Sequence, residues 1–179
     1  MATIDLPNNI LEALSTVLQQ LQQSLPEVKQ APDFSAIAFK WENGELKAIH
    51  QLKRIELNDL KGIERQKEKV LQNTEQFLNG LPANDVLLTG SRGTGKSSIV
   101  RALLTEYAEQ GLRLIEIERD DLSELPEIQK LIAERPEKFI VYCDDLAFNA
   151  EDENYRSLKS VLDGSLQSGS SNFIIYATS

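Results

Sequence analysis

The sequence has little cysteine and histidine, and this scarcity limits its chemistry. Cys143 is the single cysteine among 179 residues, which excludes an intrachain disulfide and any cluster of thiolates with metal-ligand spacing. His50 is the single histidine and lies in a predicted hairpin region, so a surface or packing role is favoured over catalysis. A lone thiol suits a reducing compartment, and the sequence therefore predicts a cytoplasmic location.

Long apolar runs and an excess of basic residues are also missing. No apolar segment approaches the roughly 20 residues that cross a bilayer, and the N-terminus lacks a basic stretch followed by an apolar one. The sequence therefore predicts neither a membrane anchor nor a secretion signal. With 19 Lys and Arg against 28 Asp and Glu, the net charge is -9, which argues against nucleic acid and anionic membranes as partners.

The first 54 residues predict a helix and a hairpin that precede the main domain. Apolar residues recur with helical spacing from residue 6 to about residue 25, which predicts an amphipathic helix that packs on its own domain or on a partner helix. Two apolar runs then flank Asn43-Gly44, a pair that tolerates positive φ and favours a tight β-hairpin. Neither element carries recognisable chemistry. We therefore predict that residues 1–54 form an appendage, a candidate adaptor surface for a partner.

From about residue 55 the pattern changes to short β-rich runs that alternate with helical periods. A helix with Val70, Leu71, Phe77 and Leu78 on one side comes first. The sequence then predicts strands at 85–89, 112–117, 138–143 and 172–177, with helices at about 96–110, 126–133 and 154–166. This alternation implies right-handed crossovers and a mostly parallel sheet covered on both faces. We predict a three-layer α/β nucleotide-binding domain over residues 55–179.

The clearest chemistry in the sequence is a glycine-rich loop, Gly90-Ser91-Arg92-Gly93-Thr94-Gly95-Lys96-Ser97, followed by Ser98. It matches the pattern G-x-x-x-x-G-K-[ST], follows a predicted strand and opens a predicted helix, the context in which such a loop cradles phosphate. Its glycines allow positive φ, so backbone N–H groups can approach phosphate oxygens at a helix N-terminus. We predict that the loop binds ATP with Mg²⁺, with Lys96 reaching the β- and γ-phosphates and Ser97 ligating the metal. A turn without a ligand would not need Lys followed by Ser.

An acidic pair, Asp144-Asp145, follows the continuous apolar run 139–143, which is typical of a central strand buried on both faces. The pair thus lies at the carboxyl end of a strand, where open α/β sheets bind ligands. We predict three catalytic residues: the loop lysine, Asp144 facing Mg²⁺ beside Ser97, and Asp145 polarising the attacking water. The alternative is a helix cap or a solvated turn. Tyr142 is interpreted as core.

These motifs resemble those of the AAA+ ATPases, P-loop NTPases, from about residue 55 to the end of the sequence. The resemblance also includes the segments 57–63 and 173–179. Within the superfamily, segments 88–98, 111–116 and 143–146 are most similar to the bacterial family catalogued as domain of unknown function 815. The resemblance implies a sheet of order 5-1-4-3-2. It also places Leu60, Gly62 and Ile63 near the adenine, and Thr178 or Ser179 at the position that senses the γ-phosphate.

Two departures from the AAA+ pattern bear on turnover. Most members have Asp-Glu where this chain has Asp144-Asp145, although Asp-Asp is familiar among helicase-loader-like members. The sequence ends at Ser179, before any arginine finger, second sensor or helical lid, and so resembles a fragment. AAA+ rings usually complete each site with an Arg from the next subunit. The resemblance therefore implies self-association in a ring, and weak hydrolysis by these 179 residues alone.

Three functions stay open at this point. The first is an ATPase that couples hydrolysis to remodelling or loading an unidentified protein partner. The second is a nucleotide-gated binding module with little turnover. The third is a small-molecule kinase or GTPase on the same loop, although the sequence lacks the Asn-Lys-x-Asp guanine motif and an Arg-rich lid.

Overall fold

The structure is a computed structural model that describes residues 10, 12, 14–17, 31–146 and 172–179. The chain divides into two compact units, Met1–Ala31 and Pro32–Ser179. In the first unit residues 10, 12 and 14–17 are helical, and Ile10, Leu14 and Val17 are exposed. The remainder of the helix predicted over 6–25, and the helix predicted over 154–166, lie outside the described residues. No described helix is long and apolar enough to cross a membrane.

A six-stranded sheet forms the centre of the second unit. Its strands are β1 (Ala38–Glu42), β2 (Glu45–Ala48), β3 (Val86–Leu88), β4 (Leu112–Ile117), β5 (Lys138–Cys143) and β6 (Phe173–Thr178). They lie in the order β2-β1-β4-β5-β6-β3, and every neighbouring pair is parallel except the β1–β2 hairpin. If β3 to β6 are numbered one to four, their spatial order is 1-4-3-2, which matches the last four positions of the order 5-1-4-3-2 that the AAA+ resemblance implied. No described strand occupies the fifth position, beyond β3. The predicted α/β class with a mostly parallel sheet is confirmed.

Helices cover both faces of this sheet. They are α1 (Glu64–Leu78), α2 (Lys96–Tyr107) and α3 (Leu125–Ile132), with 3-10 turns at Leu57–Asp59, Ala108–Gln110 and Arg119–Glu124. Alternate residues of β5 point to opposite faces. Ile140 joins a buried cluster with α1 and α2, whereas Phe139 and Val141 join a second cluster with α3. The sheet is therefore the middle of three layers.

The predicted hairpin forms, but it lies inside the sheet of the second unit. Asn43 and Gly44 have φ of 55° and 71°, as a two-residue turn of this type needs. Phe39 on β1 pairs in parallel register with Ile115 on β4. The hairpin thus belongs to the compact unit Pro32–Ser179. The pairing of β1 with β4 joins distant parts of the chain, so hydrophobic periodicity alone does not reveal it.

Candidate functional site

The glycine-rich loop connects β3 to α2 at the carboxyl edge of the sheet. Gly90, Gly93 and Gly95 have φ of 148°, 82° and 88°, so all three adopt the conformation that glycine alone takes without steric cost. A Cβ added at Gly95 would lie 3.4 Å from Ile63 Cδ1, so this turn is also closely packed. The loop leads directly into α2, whose first N–H groups have no intrahelical partners. This combination suits a phosphate group.

Lys96 and Ser97 direct their side chains to opposite parts of the site. The Lys96 ammonium donates to the carbonyl oxygens of Gly90 at 2.6 Å and Ser91 at 3.0 Å. The Ser97 hydroxyl donates to the Asp144 carboxylate, with Oγ 3.1 Å and 3.2 Å from its two oxygens. The fold therefore brings together the loop serine and the first acidic residue, which are 47 positions apart in the sequence.

Thr178, the last residue of β6, links the acidic pair. Its buried hydroxyl donates to Asp144 Oδ1 and accepts a hydrogen bond from the Asp145 backbone N–H at 3.0 Å. Asp145 has a φ of 56°, in the left-handed region that aspartate tolerates better than most residues. Parallel pairing of β5 with β6 brings the ends of the two strands side by side. Thr178 thereby fixes the turn that presents both carboxylates.

The surroundings of Asp144 favour its ionised form. Partial burial acts to raise the pKa of Asp144, but the hydrogen bonds from the Thr178 and Ser97 hydroxyls and the Asp145 N–H outweigh it and hold the pKa below its usual value. An ionised carboxylate beside a serine hydroxyl is a pair of hard oxygen donors that fits Mg²⁺. Within residues 31–146 and 172–179, no group of three or more His, Cys, Asp or Glu gathers to hold a metal. An ion bound here would therefore complete its shell with phosphate and water.

Two cavities adjoin the loop. The larger, about 570 Å³, brings together predicted site residues from the loop and the strand ends: Gly90, Arg92, Gly93, Gly95, Lys96, Ser97, Ser98, Asp144, Asp145 and Thr178. The smaller, about 400 Å³, is lined by four further predicted residues, Gly62, Ile63, Ser91 and Thr94. Leu60 is in neither lining and is half-buried against the core instead. The Lys67 ammonium holds that segment to α1 by donating to the Leu60 and Leu57 carbonyls.

Tyr142 is a residue of the site that sequence reasoning assigned to the core alone. It is 1% exposed, yet its hydroxyl lies beside Ser97, Asp144 and Thr178. Burial raises the pKa of Tyr142, so the hydroxyl keeps its proton. The sequence held a clue to this, because side chains two residues apart in a strand lie on one face, which places residue 142 on the same side as residue 144. Gln66 and Thr89, which line the smaller cavity, carried no comparable signal.

Comparisons with known proteins find partial matches to a replication factor subunit and to a Holliday junction branch migration motor. The Replication factor C large subunit of Methanococcus maripaludis (strain C7) is 36% identical over 52 residues, which is 29% of this chain and 11% of that protein. The solved Thermotoga maritima RuvB Holliday junction branch migration motor has a TM-score of 0.44 and 15% identity, covering 69% of this chain and 40% of that one. A mutant of the same motor has a TM-score of 0.42 and 13% identity, covering 69% and 41%. The chain thus spans less than half of each relative.

A family profile gives the broader match. The family described as Protein of unknown function (DUF815) matches residues 34–179, which include all six strands, the loop and the acidic pair. This agrees with the family that the motifs indicate. The chain therefore belongs to the DUF815 family.

Proposed function

We propose that this protein binds ATP with Mg²⁺ and hydrolyses it to remodel or load a protein partner. The observation that carries the proposal is the contact of Ser97 Oγ with Asp144, at 3.1 Å, beside a loop that combines three positive-φ glycines with a helix N-terminus. The loop supplies N–H donors for phosphate, and Ser97 with Asp144 supplies oxygen ligands for the metal. Bound Mg²⁺ offsets negative charge on the phosphate oxygens.

The remaining side chains have complementary roles in this proposal. Lys96 exchanges its two carbonyl acceptors for phosphate oxygens, which form stronger, charge-assisted hydrogen bonds. Asp145 lines the larger cavity and orients the attacking water. The base enters the smaller cavity, where Ile63 and Ile99 offer apolar surface and Gly62 leaves room.

Assembly is part of the same proposal. The larger cavity is bordered by the exposed Arg92 and Asp145, so a neighbouring subunit has access to it. An arginine from such a subunit would stabilise the charge that develops during phosphoryl transfer. We propose a ring of copies and a protein partner, because a net charge of -9 disfavours nucleic acid.

A nucleotide titration tests the binding step. Fluorescent ATP and GTP are titrated with and without Mg²⁺ into the wild-type chain, Lys96→Ala and a control, Lys69→Ala, which changes an exposed lysine on α1. We expect Mg²⁺-dependent binding with a preference for ATP, weakened about 100-fold by Lys96→Ala because charge-assisted hydrogen bonds are lost. The Lys69→Ala chain should bind like the wild type. Equal binding by Lys96→Ala and wild type would contradict the proposal.

A second candidate is a nucleotide-gated binding module with little turnover. Asp145 favours it, because its carboxylate is one methylene shorter than glutamate and its backbone is held in a left-handed turn. Asp145→Asn separates the two candidates, since asparagine also tolerates that turn. For an ATPase, phosphate release should fall about 100-fold at unchanged ATP affinity. For a binding module, the already low rate of release should stay the same.

A further inference from the structure

A buried hydroxyl for which the described residues provide no hydrogen-bond partner lies in the candidate site. Tyr142 is 1% exposed, and its hydroxyl oxygen is withdrawn from solvent. Ser97, Asp144 and Thr178 lie around it, but no described residue forms a hydrogen bond of standard geometry with it. A hydroxyl that leaves water without gaining a partner destabilises the fold, and few such groups persist in native proteins. This one therefore calls for a physical explanation.

Tyr176 shows how a buried tyrosine of the same sheet is normally satisfied. It lies opposite Tyr142 on the neighbouring strand β6, belongs to the same core cluster and is 0% exposed. Its hydroxyl accepts a hydrogen bond from Asn73 Nδ2 at 3.0 Å and contacts Thr74 Oγ1 at 2.9 Å. The two tyrosines thus differ in one respect. The hydroxyl beside the glycine-rich loop lacks the partners that the other one has.

The donors around Asp144 explain why Tyr142 is left out. Ser97 and Thr178 both donate their hydroxyl protons to the Asp144 carboxylate, and the Asp145 N–H approaches it at 3.2 Å. The Tyr142 hydroxyl therefore competes with these three donors for the oxygens of the Asp144 carboxylate. A metal ion that takes Ser97 Oγ as a ligand draws the serine away from Asp144. One of the competing donors is then removed.

We propose that Tyr142 is a positioning residue for Mg²⁺, whose hydroxyl donates to the Asp144 carboxylate when the ion is bound and holds that carboxylate in place. The inference rests on the proposed function, because it requires the ion beside Ser97. Groups that orient metal ligands through hydrogen bonds change metal affinity by about 10- to 100-fold. Tyr142 acts through Asp144 and not on the nucleotide.

Two tyrosine-to-phenylalanine variants test the inference. Tyr142→Phe removes only the hydroxyl without a partner, and Tyr176→Phe is the matched control on the neighbouring strand. Thermal unfolding is followed with EDTA, and ATP binding is followed as Mg²⁺ is increased. We expect Tyr142→Phe to keep or raise Tm in EDTA, to bind ATP normally without Mg²⁺ and to need about tenfold more Mg²⁺ for half-maximal enhancement. Tyr176→Phe should lower Tm and leave the Mg²⁺ requirement unchanged.

Two results would overturn the inference. If Tyr142→Phe lowers Tm in EDTA as much as Tyr176→Phe does, or fails to fold, the hydroxyl has a partner in the protein itself. If the Mg²⁺ requirement of Tyr142→Phe equals that of the wild type, the hydroxyl does not position the ion. Binding of ATP by the wild type without any effect of Mg²⁺ would instead overturn the proposed metal site, and the inference with it.

Discussion

Two regions of one sheet follow different physical rules. In the middle of the sheet, Ile115 on β4, Phe139 on β5 and Tyr176 on β6 are each 0% exposed. At the carboxyl edge, Asp144 and Asp145 are exposed, and the turns there use positive φ. The change occurs within one peptide bond, since the residue before Asp144 is still buried. Burial stabilises the middle, whereas the edge keeps polar groups available to a ligand. Stability and ligand binding should therefore respond to different substitutions.

The largest effect should come from the middle of the sheet. Phe139→Ala empties a fully buried position and should lower the free energy of unfolding by about 4 kcal/mol, because transfer and cavity terms add. Urea unfolding measures this value. Leu131→Ala, at a residue that is 43% exposed on α3, is the control and should cost less than about 1 kcal/mol. A similar loss of unfolding free energy in both variants would contradict the view that burial in the middle of the sheet stabilises the fold.

Thr178 belongs to both regions, because it is 1% exposed, yet its hydroxyl donates to the Asp144 carboxylate and accepts the backbone N–H of Asp145. Thr178→Val keeps the shape and removes the hydroxyl. It should lower the free energy of unfolding by about 1–2 kcal/mol and also weaken Mg²⁺-dependent ATP binding. Thr178→Ser, which keeps the hydroxyl, should retain most of the binding. A stability loss in Thr178→Val with normal binding would place this residue in the core alone.

Two glycines with similar backbone angles separate an effect on ligand binding from an effect on stability. Gly93 in the loop and Gly80 after α1 have φ of 82° and 70°, and a Cβ at either would have no atom within 4 Å. Alanine at each position should lower the free energy of unfolding by about 1 kcal/mol through backbone strain. Only Gly93→Ala should weaken ATP binding, measured with the same fluorescent nucleotide. Equal loss of binding in both variants would indicate a general effect of strain.

The smallest effect concerns Asp85, whose carboxylate accepts the Ile175 N–H at 2.6 Å. Burial raises the pKa of Asp85, so folding favours the protonated form and the charge destabilises the fold at neutral pH. Asp85→Asn keeps an acceptor oxygen and removes the charge. It should slightly raise the free energy of unfolding at pH 7, and the gain should vanish as pH falls toward about 4. A gain that is the same at both pH values would contradict this interpretation.

The sequence predicted the regular elements closely where local pattern dominates. The strands predicted at 112–117 and 138–143 have the observed bounds of β4 and β5, because a strand buried on both faces is a continuous apolar run. The strand predicted at 85–89 is shorter in the structure. Asp85 uses its side chain, rather than strand pairing, to accept the N–H of β6. This hydrogen bond joins two residues that are 90 positions apart, so local pattern does not reveal it.

The candidate site likewise contains features that local pattern predicts and features that depend on distant residues. The loop glycines were assigned correctly to positive φ, because the requirement is a property of each residue and its neighbours. The roles predicted for Lys96, Asp144 and Asp145 in catalysis stay predictions. The link from Thr178 to the Asp144 carboxylate and the Asp145 N–H was not predicted, and neither was the Tyr142 hydroxyl that has no hydrogen-bond partner among the described residues. Each depends on which strand ends lie side by side.

Local sequence pattern was enough to predict the class of the fold, the positive φ of the loop glycines and the position of the acidic pair at a strand end. These follow from steric limits on φ and from the periods of helices and strands, which act over a few residues. Long-range contacts place β1 beside β4, Ile63 against Gly95, and Tyr142 beside Asp144 with no hydrogen-bond partner among the described residues. Strand order and register bring these residues together across long stretches of chain, and no local pattern specifies them.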